Sequence, residues 1–316
     1  ILTEFSDSLK LAQELPEVLA HGMGNHMYLA RLETKEKMEE FFHYTLDLKP
    51  AEPEKKPVRK TARRKTQRKS LEMEIHELNW YSERLHRNMP VKIYGHAGKP
   101  CLVIPSQDGK HNDFEGFGMV DACAPWIEEG KLMLYCVDTI DAKTWSCTWK
   151  NARDRILLHE DWMQYLVQEV LPLMEKDAKG EKAMTMGCSM GAFHAANLFF
   201  RFPDRFDATI CLSGIYDASQ VLGGYMDDLV YLNSPYHCLQ NMPADHPYMS
   251  LYRRSDMFFC VGQGAWEDEL LADTRKLDGV LHAKGIPAFV DYWGYDVAHD
   301  WNWWQKQAPY FLGKIL

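Results

Sequence analysis

The chain has 316 residues, 46% of them hydrophobic and 26% charged, and a net charge of −9. That length suits one large domain with an appendage, or two ordinary domains. No run of 18 apolar residues is present, which excludes a membrane-spanning helix.

The opening residues, Ile1 to Asp7, lack the basic region and apolar run of a signal peptide. The first residue is not Met, so a fragment or a processed form is expected. The net charge hides an asymmetry. Residues 49–70 carry ten Lys or Arg against Glu52 and Glu54, a local +8 that leaves −17 on the remainder. An acidic body argues against nucleic acid as the main partner, despite the basic stretch. The eight cysteines are scattered without a Cys-x-x-Cys pair, and several lie in apolar runs such as Leu134–Val137 and Phe258–Val261. Buried, reduced thiols in a cytoplasmic protein follow from that pattern, rather than a disulfide framework or a zinc site.

In chain order, residues 1–48 read as a mostly helical segment, as in Thr34–Phe42, and are short for an independent core. They suit the tail of another domain. Residues 49–73 hold Pro50, Pro53 and Pro57 and then the basic run. So few apolar side chains cannot offset the entropy of ordering, which predicts a linker; a contact with RNA, DNA or anionic lipid is the second reading. Residues 74–316 alternate β-rich and helical stretches. Strands are predicted at Pro90–Tyr94, Cys101–Ile104, Leu132–Val137, Ala183–Met186, Ala208–Leu212, Met257–Val261 and Ala288–Tyr292. Helices are predicted at Glu160–Met174, from Ala192 through Phe200, at Asp268–Ala283 and at Asp300–Leu312. Such alternation gives an α/β fold, a mostly parallel sheet covered by helices on both faces.

One motif carries chemistry. Gly187-Cys188-Ser189-Met190-Gly191 is a Gly-x-Ser-x-Gly between an apolar strand and a helix, the context a nucleophile elbow requires. A phosphate-binding loop is the competing reading, but no Lys follows the second Gly. A serine hydroxyl needs a base, and the base needs an orienting acid. His299 stands in the loop between the last predicted strand and the last helix and is the expected base. His194 and His282 fall in helices, and His237 and His246 precede the acid position. The acid is expected just after Met257–Val261, where Glu267, Asp268 and Glu269 stand in a row. Asp268 is the first choice and Glu267 the alternative; the remaining acids suit a helix start. Two backbone N–H groups are expected to form an oxyanion hole: that of Met190, and one from Pro105–Gly109, with Gln107 ahead of Ser106. Trp145 is a candidate wall of the substrate pocket.

These residues resemble the putative-esterase branch of the α/β-hydrolases, with the esterase D and feruloyl esterase-like enzymes. The resemblance runs from about residue 75 to 316. It rests on Tyr165–Leu173, Gly187–Gly191, Phe202-Pro203-Asp204-Arg205-Phe206, Ala208–Gly214 and His299-Asp300-Trp301 with Trp304. It implies the α/β-hydrolase fold, a Ser-His-acid triad, no metal or cofactor, and hydrolysis of a small-molecule ester through an acyl-enzyme. Acyl transfer by the same triad, and a catalytically silent binding module on the same fold, stay open, as does the oligomeric state.

Overall fold

A computed structural model describes residues 73–316 and, before them, the backbone of two strands, Val18–Met23 (β1) and His26–Arg31 (β2). β1 and β2 pair antiparallel, with Met23 opposite His26. These strands fall within the segment 1–48 read as mostly helical, whose helical example Thr34–Phe42 lies outside the described residues. The rest of the helical expectation, and the linker expected over 49–73 short of its last residue, lie outside the described residues.

The remaining strands form one eight-stranded sheet. They are Ile75–Ser82 (β3), Arg87–Tyr94 (β4), Lys99–Ile104 (β5), Leu132–Val137 (β6), Ala183–Cys188 (β7), Phe206–Leu212 (β8), Asp256–Val261 (β9) and Phe289–Tyr292 (β10). Their order across the sheet is β10-β9-β8-β7-β5-β6-β4-β3. β4 runs antiparallel to β3 and β6, and every other pairing is parallel. This is the α/β-hydrolase fold class that the sequence predicts. β3 was not predicted. It is an edge strand whose residues are mostly exposed, so it carries no apolar run to betray it.

Five long helices cover the sheet: Met119–Glu128 (α1), Ala152–Tyr165 (α2), Met190–Arg201 (α3), Asp268–Ala283 (α4) and Trp301–Ile315 (α5). α2 runs on through a π-helical turn at Leu166–Val170 to Asp177, so this helical stretch begins earlier than the predicted Glu160. Alternate strand residues feed opposite cores. Leu102 and Ile104 pack with Trp162 of α2, Phe199 of α3 and Leu277 of α4. Cys101 and Val103 pack with Ile127 of α1 and Phe311 of α5. All six residues of β6 and of β7 are buried, as strands covered on both faces must be. Each fully buried large apolar side chain contributes about 1.5–3 kcal/mol.

This order positions the site. β5 has β6 on one side and β7 on the other, so the connections leaving β5 and β7 diverge. The carboxyl ends of those two strands are therefore the topological switch point, where parallel sheets place their ligands.

Candidate active site

Ser189 stands between β7 and α3, as the N-cap of the helix, at φ 58°, ψ −126°. That conformation is strained for a residue with a side chain and costs roughly 1–3 kcal/mol. It is held from both sides: the Ser189 N–H donates to the Leu212 carbonyl at 2.8 Å, and the Ser189 carbonyl accepts from Ala192 N–H at 2.9 Å. The glycines make the turn feasible. A Cβ on Gly187 would lie 2.1 Å from the Gly191 carbonyl oxygen, and one on Gly191 would lie 2.3 Å from that of Ile104. The second approach also sets the loop after β5 directly beside the start of α3. The preceding Cys188 is buried, and burial pushes its thiol well up, away from the reactive thiolate form. The Ser189 side chain beside it is only half-buried.

His299 Nε2 lies 2.9 Å from Ser189 Oγ. Its Nδ1 faces Glu267 Oε2 at 3.4 Å, and Glu267 is wholly buried. A carboxylate only accepts hydrogen bonds, so Nδ1 carries the proton and Nε2 is left bare to take one from Ser189. The loops that bring the two residues together are joined backbone to backbone. Gly264 N–H donates to the Val297 carbonyl and His299 N–H to that of Ala265, each at 2.9 Å. Glu267 has a second contact, since Ser213 Oγ–H donates to its Oε1 at 2.6 Å. Trp304 of α5 donates its indole N–H to Ser213 Oγ at 3.2 Å, and its ring stands perpendicular to the His299 ring at 4.8 Å.

The first-choice acid is elsewhere. Asp268 is exposed in the first turn of α4, where a carboxylate complements the helix dipole, and Glu269 is exposed beside it. The expectation that Asp268 faces the imidazole is thus corrected by one residue. Trp266, at φ 67°, turns the chain so that the side chain of Glu267 goes inward and that of Asp268 outward.

Met190 is the first residue of α3, and an amide there belongs to the set without an intrahelical acceptor. Gln107 is exposed in the turn that Gly109 N–H closes on the Ser106 carbonyl. Asp108, next in that turn, has a positive φ and donates its N–H to Asp141 Oδ2 at 3.4 Å. The other oxygen of Asp141 meets His194 Nε2 of α3 at 2.9 Å. Asp141 thereby ties the turn after β5 to the nucleophile helix, a brace the sequence did not announce.

Trp145 is not an open pocket wall. It is 3% exposed and packs with Met190 and Phe193 beneath the start of α3. Its indole N–H donates to His159 Nδ1 at 3.1 Å. Among the described residues no cluster of three or more His, Cys, Asp or Glu is arranged to hold a metal ion, and no helix is long and apolar enough to cross a membrane.

Comparison with known proteins bears on the family and the fold. Residues 82–314 match the family described as Putative esterase. Among solved structures, a ferulic acid esterase superposes with a TM-score of 0.59 at 16% identity, covering 76% of this chain and 98% of its own. An S-formylglutathione hydrolase from Agrobacterium tumefaciens gives 0.59 at 14% identity, over 77% and 94%. Mycobacterium tuberculosis MPT51 gives 0.58 at 14% identity, over 77% and 97%. No curated protein matches the chain in sequence. At these identities the structural likeness speaks for the fold.

Proposed function

The chain belongs to the putative-esterase family, a family of serine carboxylic ester hydrolases, and from that premise we propose that it cleaves acyl esters with Ser189 as nucleophile, His299 as base and Glu267 as the orienting acid. The observation that carries this reading is the continuous contact from Ser189 Oγ through the His299 ring to a buried Glu267.

In this mechanism His299 Nε2 takes the Ser189 proton as Oγ bonds to the ester carbonyl carbon. Positive charge appears on the imidazole, where Glu267 stabilises it. The carbonyl oxygen becomes an alkoxide that accepts from the Met190 N–H and from an N–H of the turn after β5, for which Gln107 is our choice. The carbon–oxygen bond to the leaving alcohol breaks, and His299 returns its proton to that oxygen. Water then attacks the acyl-enzyme by the same path, releasing the acid and restoring the Ser189 hydroxyl. The activity resides in residues 74–316, with 49–73 as a connecting segment. Seven of eight free cysteines are buried, which supports a reducing compartment.

Two experiments test the reading together. A fluorophosphonate probe should label the wild type and not Ser189→Ala, and a panel of p-nitrophenyl esters of graded acyl length should show which chains turn over. A wild-type protein that neither labels nor hydrolyses any ester overturns the proposal. Products formed only when an alcohol is added would turn it toward acyl transfer.

A further inference from the structure

Glu267 has two oxygens, and only one can serve His299. The other meets Ser213, the residue that follows β8. Ser213 is wholly buried and adopts φ 54°, a left-handed conformation costing an ordinary residue about 1–2 kcal/mol. A glycine would remove that cost, and the chain does place a glycine at the very next position, Gly214. The strain is retained where a hydroxyl is present.

The direction of the hydrogen bonds is fixed by chemistry. An indole N–H can only donate, so Trp304 Nε1 must give its proton to Ser213 Oγ. A carboxylate can only accept, so the Ser213 hydroxyl proton goes to Glu267 Oε1. A donor on one side and an acceptor on the other leave the hydroxyl a single orientation. Oε1 is thereby occupied and Oε2 is the oxygen presented to His299 Nδ1. The chain of contacts returns on itself, because the Trp304 ring also stands against the imidazole.

We propose that Ser213 and Trp304 are positioning residues that hold the Glu267 carboxylate in one rotation, so that His299 keeps the tautomer able to accept the Ser189 proton. The inference rests on the serine-hydrolase reading above and adds to it a part that does not touch substrate. A flexible glutamate reaches His299 by more conformations than an aspartate would, and this pair of donors removes that freedom.

The test uses the full chain with p-nitrophenyl acetate as the probe ester. Ser213→Ala should lower kcat by about tenfold to a hundredfold, the usual worth of a hydrogen bond to a charged group, with KM changed by less than about twofold. Ser213→Gly relieves the backbone yet lacks the hydroxyl, so its kcat should fall with that of Ser213→Ala even where its Tm is higher. Trp304→Phe keeps a ring against His299 without the N–H, and should lower kcat by a smaller factor, again with KM nearly unchanged. It also provides a second reading where the alanine variant is poorly folded. The proposal is overturned if Ser213→Gly matches wild type, or if kcat in the set merely follows Tm or falls only together with a rise in KM. Ser189→Ala separates the two levels. If it is inactive while Ser213→Ala is normal, only this inference fails; if it keeps full turnover, the serine-hydrolase reading fails and takes this inference with it.

Discussion

The nucleophile turn and the acid loop both lie at the carboxyl end of the sheet, but they are built by different rules. At the turn, every constraint is local. Gly187, Ser189 and Gly191 fall within five residues, and the close approaches there dictate which positions tolerate a Cβ. At the acid loop, Glu267, Asp268 and Glu269 are chemically similar neighbours, and what distinguishes them is the direction in which each side chain leaves the backbone. Only Glu267 points under the sheet edge to Ser213 and His299. Identity decides the first site, and environment decides the second.

The largest expected effect tests the turn. Ser189→Ala removes the attacking oxygen and leaves the strained backbone in place. Turnover of a p-nitrophenyl ester should fall by about 10⁴ or more, while the folded state survives. Circular dichroism alongside the rate separates loss of chemistry from loss of fold. Retained turnover in a clean preparation would sink the nucleophile assignment.

The acid loop gives the next effect. In Glu267→Gln, Ser213 can still donate to the amide oxygen, which turns the NH₂ group toward His299 Nδ1. The imidazole must then accept there and carry its proton on Nε2, where it cannot take one from Ser189. A drop in kcat of about 10³–10⁴ is expected. A Glu267→Gln enzyme within threefold of wild type would place the triad acid elsewhere.

The two regions also explain what could be read in advance. The sheet was legible because β5 to β9 are nearly continuous apolar runs punctuated by turn residues. The contact between Ser189 and His299 was legible because both lie in loops that follow strands and precede helices. β3 escaped because an exposed edge strand has no buried face to pattern. The short helices between Ala218 and Tyr252 escaped because each is too brief to show a period. Asp268 was chosen over Glu267 because a sequence carries no sign of the left-handed turn at Trp266, which a bulky aromatic seldom adopts. Trp145 was read as a pocket wall because its position after β6 does not reveal that His159 accepts its N–H. Tertiary contacts decided each of these.

A third, smaller effect concerns the support beneath the nucleophile helix. Burial holds the His159 imidazole well below its ordinary pKa, with the nearby His194 and Arg201 acting in the same direction. Its Nδ1 accepts from the Trp145 indole, and a proton placed there would face a donor. The folded-state pKa is depressed, so below about pH 6.5 the unfolded chain binds the proton that the folded one refuses. The stability is present above that pH and is lost on acidification, by at most about 1.4 kcal/mol per pH unit from this one group. His159→Gln offers an acceptor that does not titrate. Its Tm should decline less steeply between pH 7 and 5.5 than that of the wild type, even if it starts lower. Parallel slopes would show that His159 is not the group responsible.

The smallest effect returns to the acid loop and bears most directly on the comparison. Asp268 is exposed in the first turn of the 16-residue helix α4, so its carboxylate meets the positive end of the helix dipole and water. Such a placement contributes about 0.3–1 kcal/mol to stability. A triad carboxylate contributes to turnover instead, because it acts on charge that forms only during attack. Asp268→Asn should therefore lower the Tm slightly and leave kcat within about threefold, since exposed substitutions usually act within about 0.5 kcal/mol. High salt should shrink the Tm difference, because an exposed charge at a helix end is screened. Kinetics and melting curves of Asp268→Asn and Glu267→Gln, measured together, should show opposite signatures one residue apart. Should Asp268→Asn be the inactive variant and Glu267→Gln the mildly destabilised one, the loop turns the other way in solution. Burial would then not be what selects the acid.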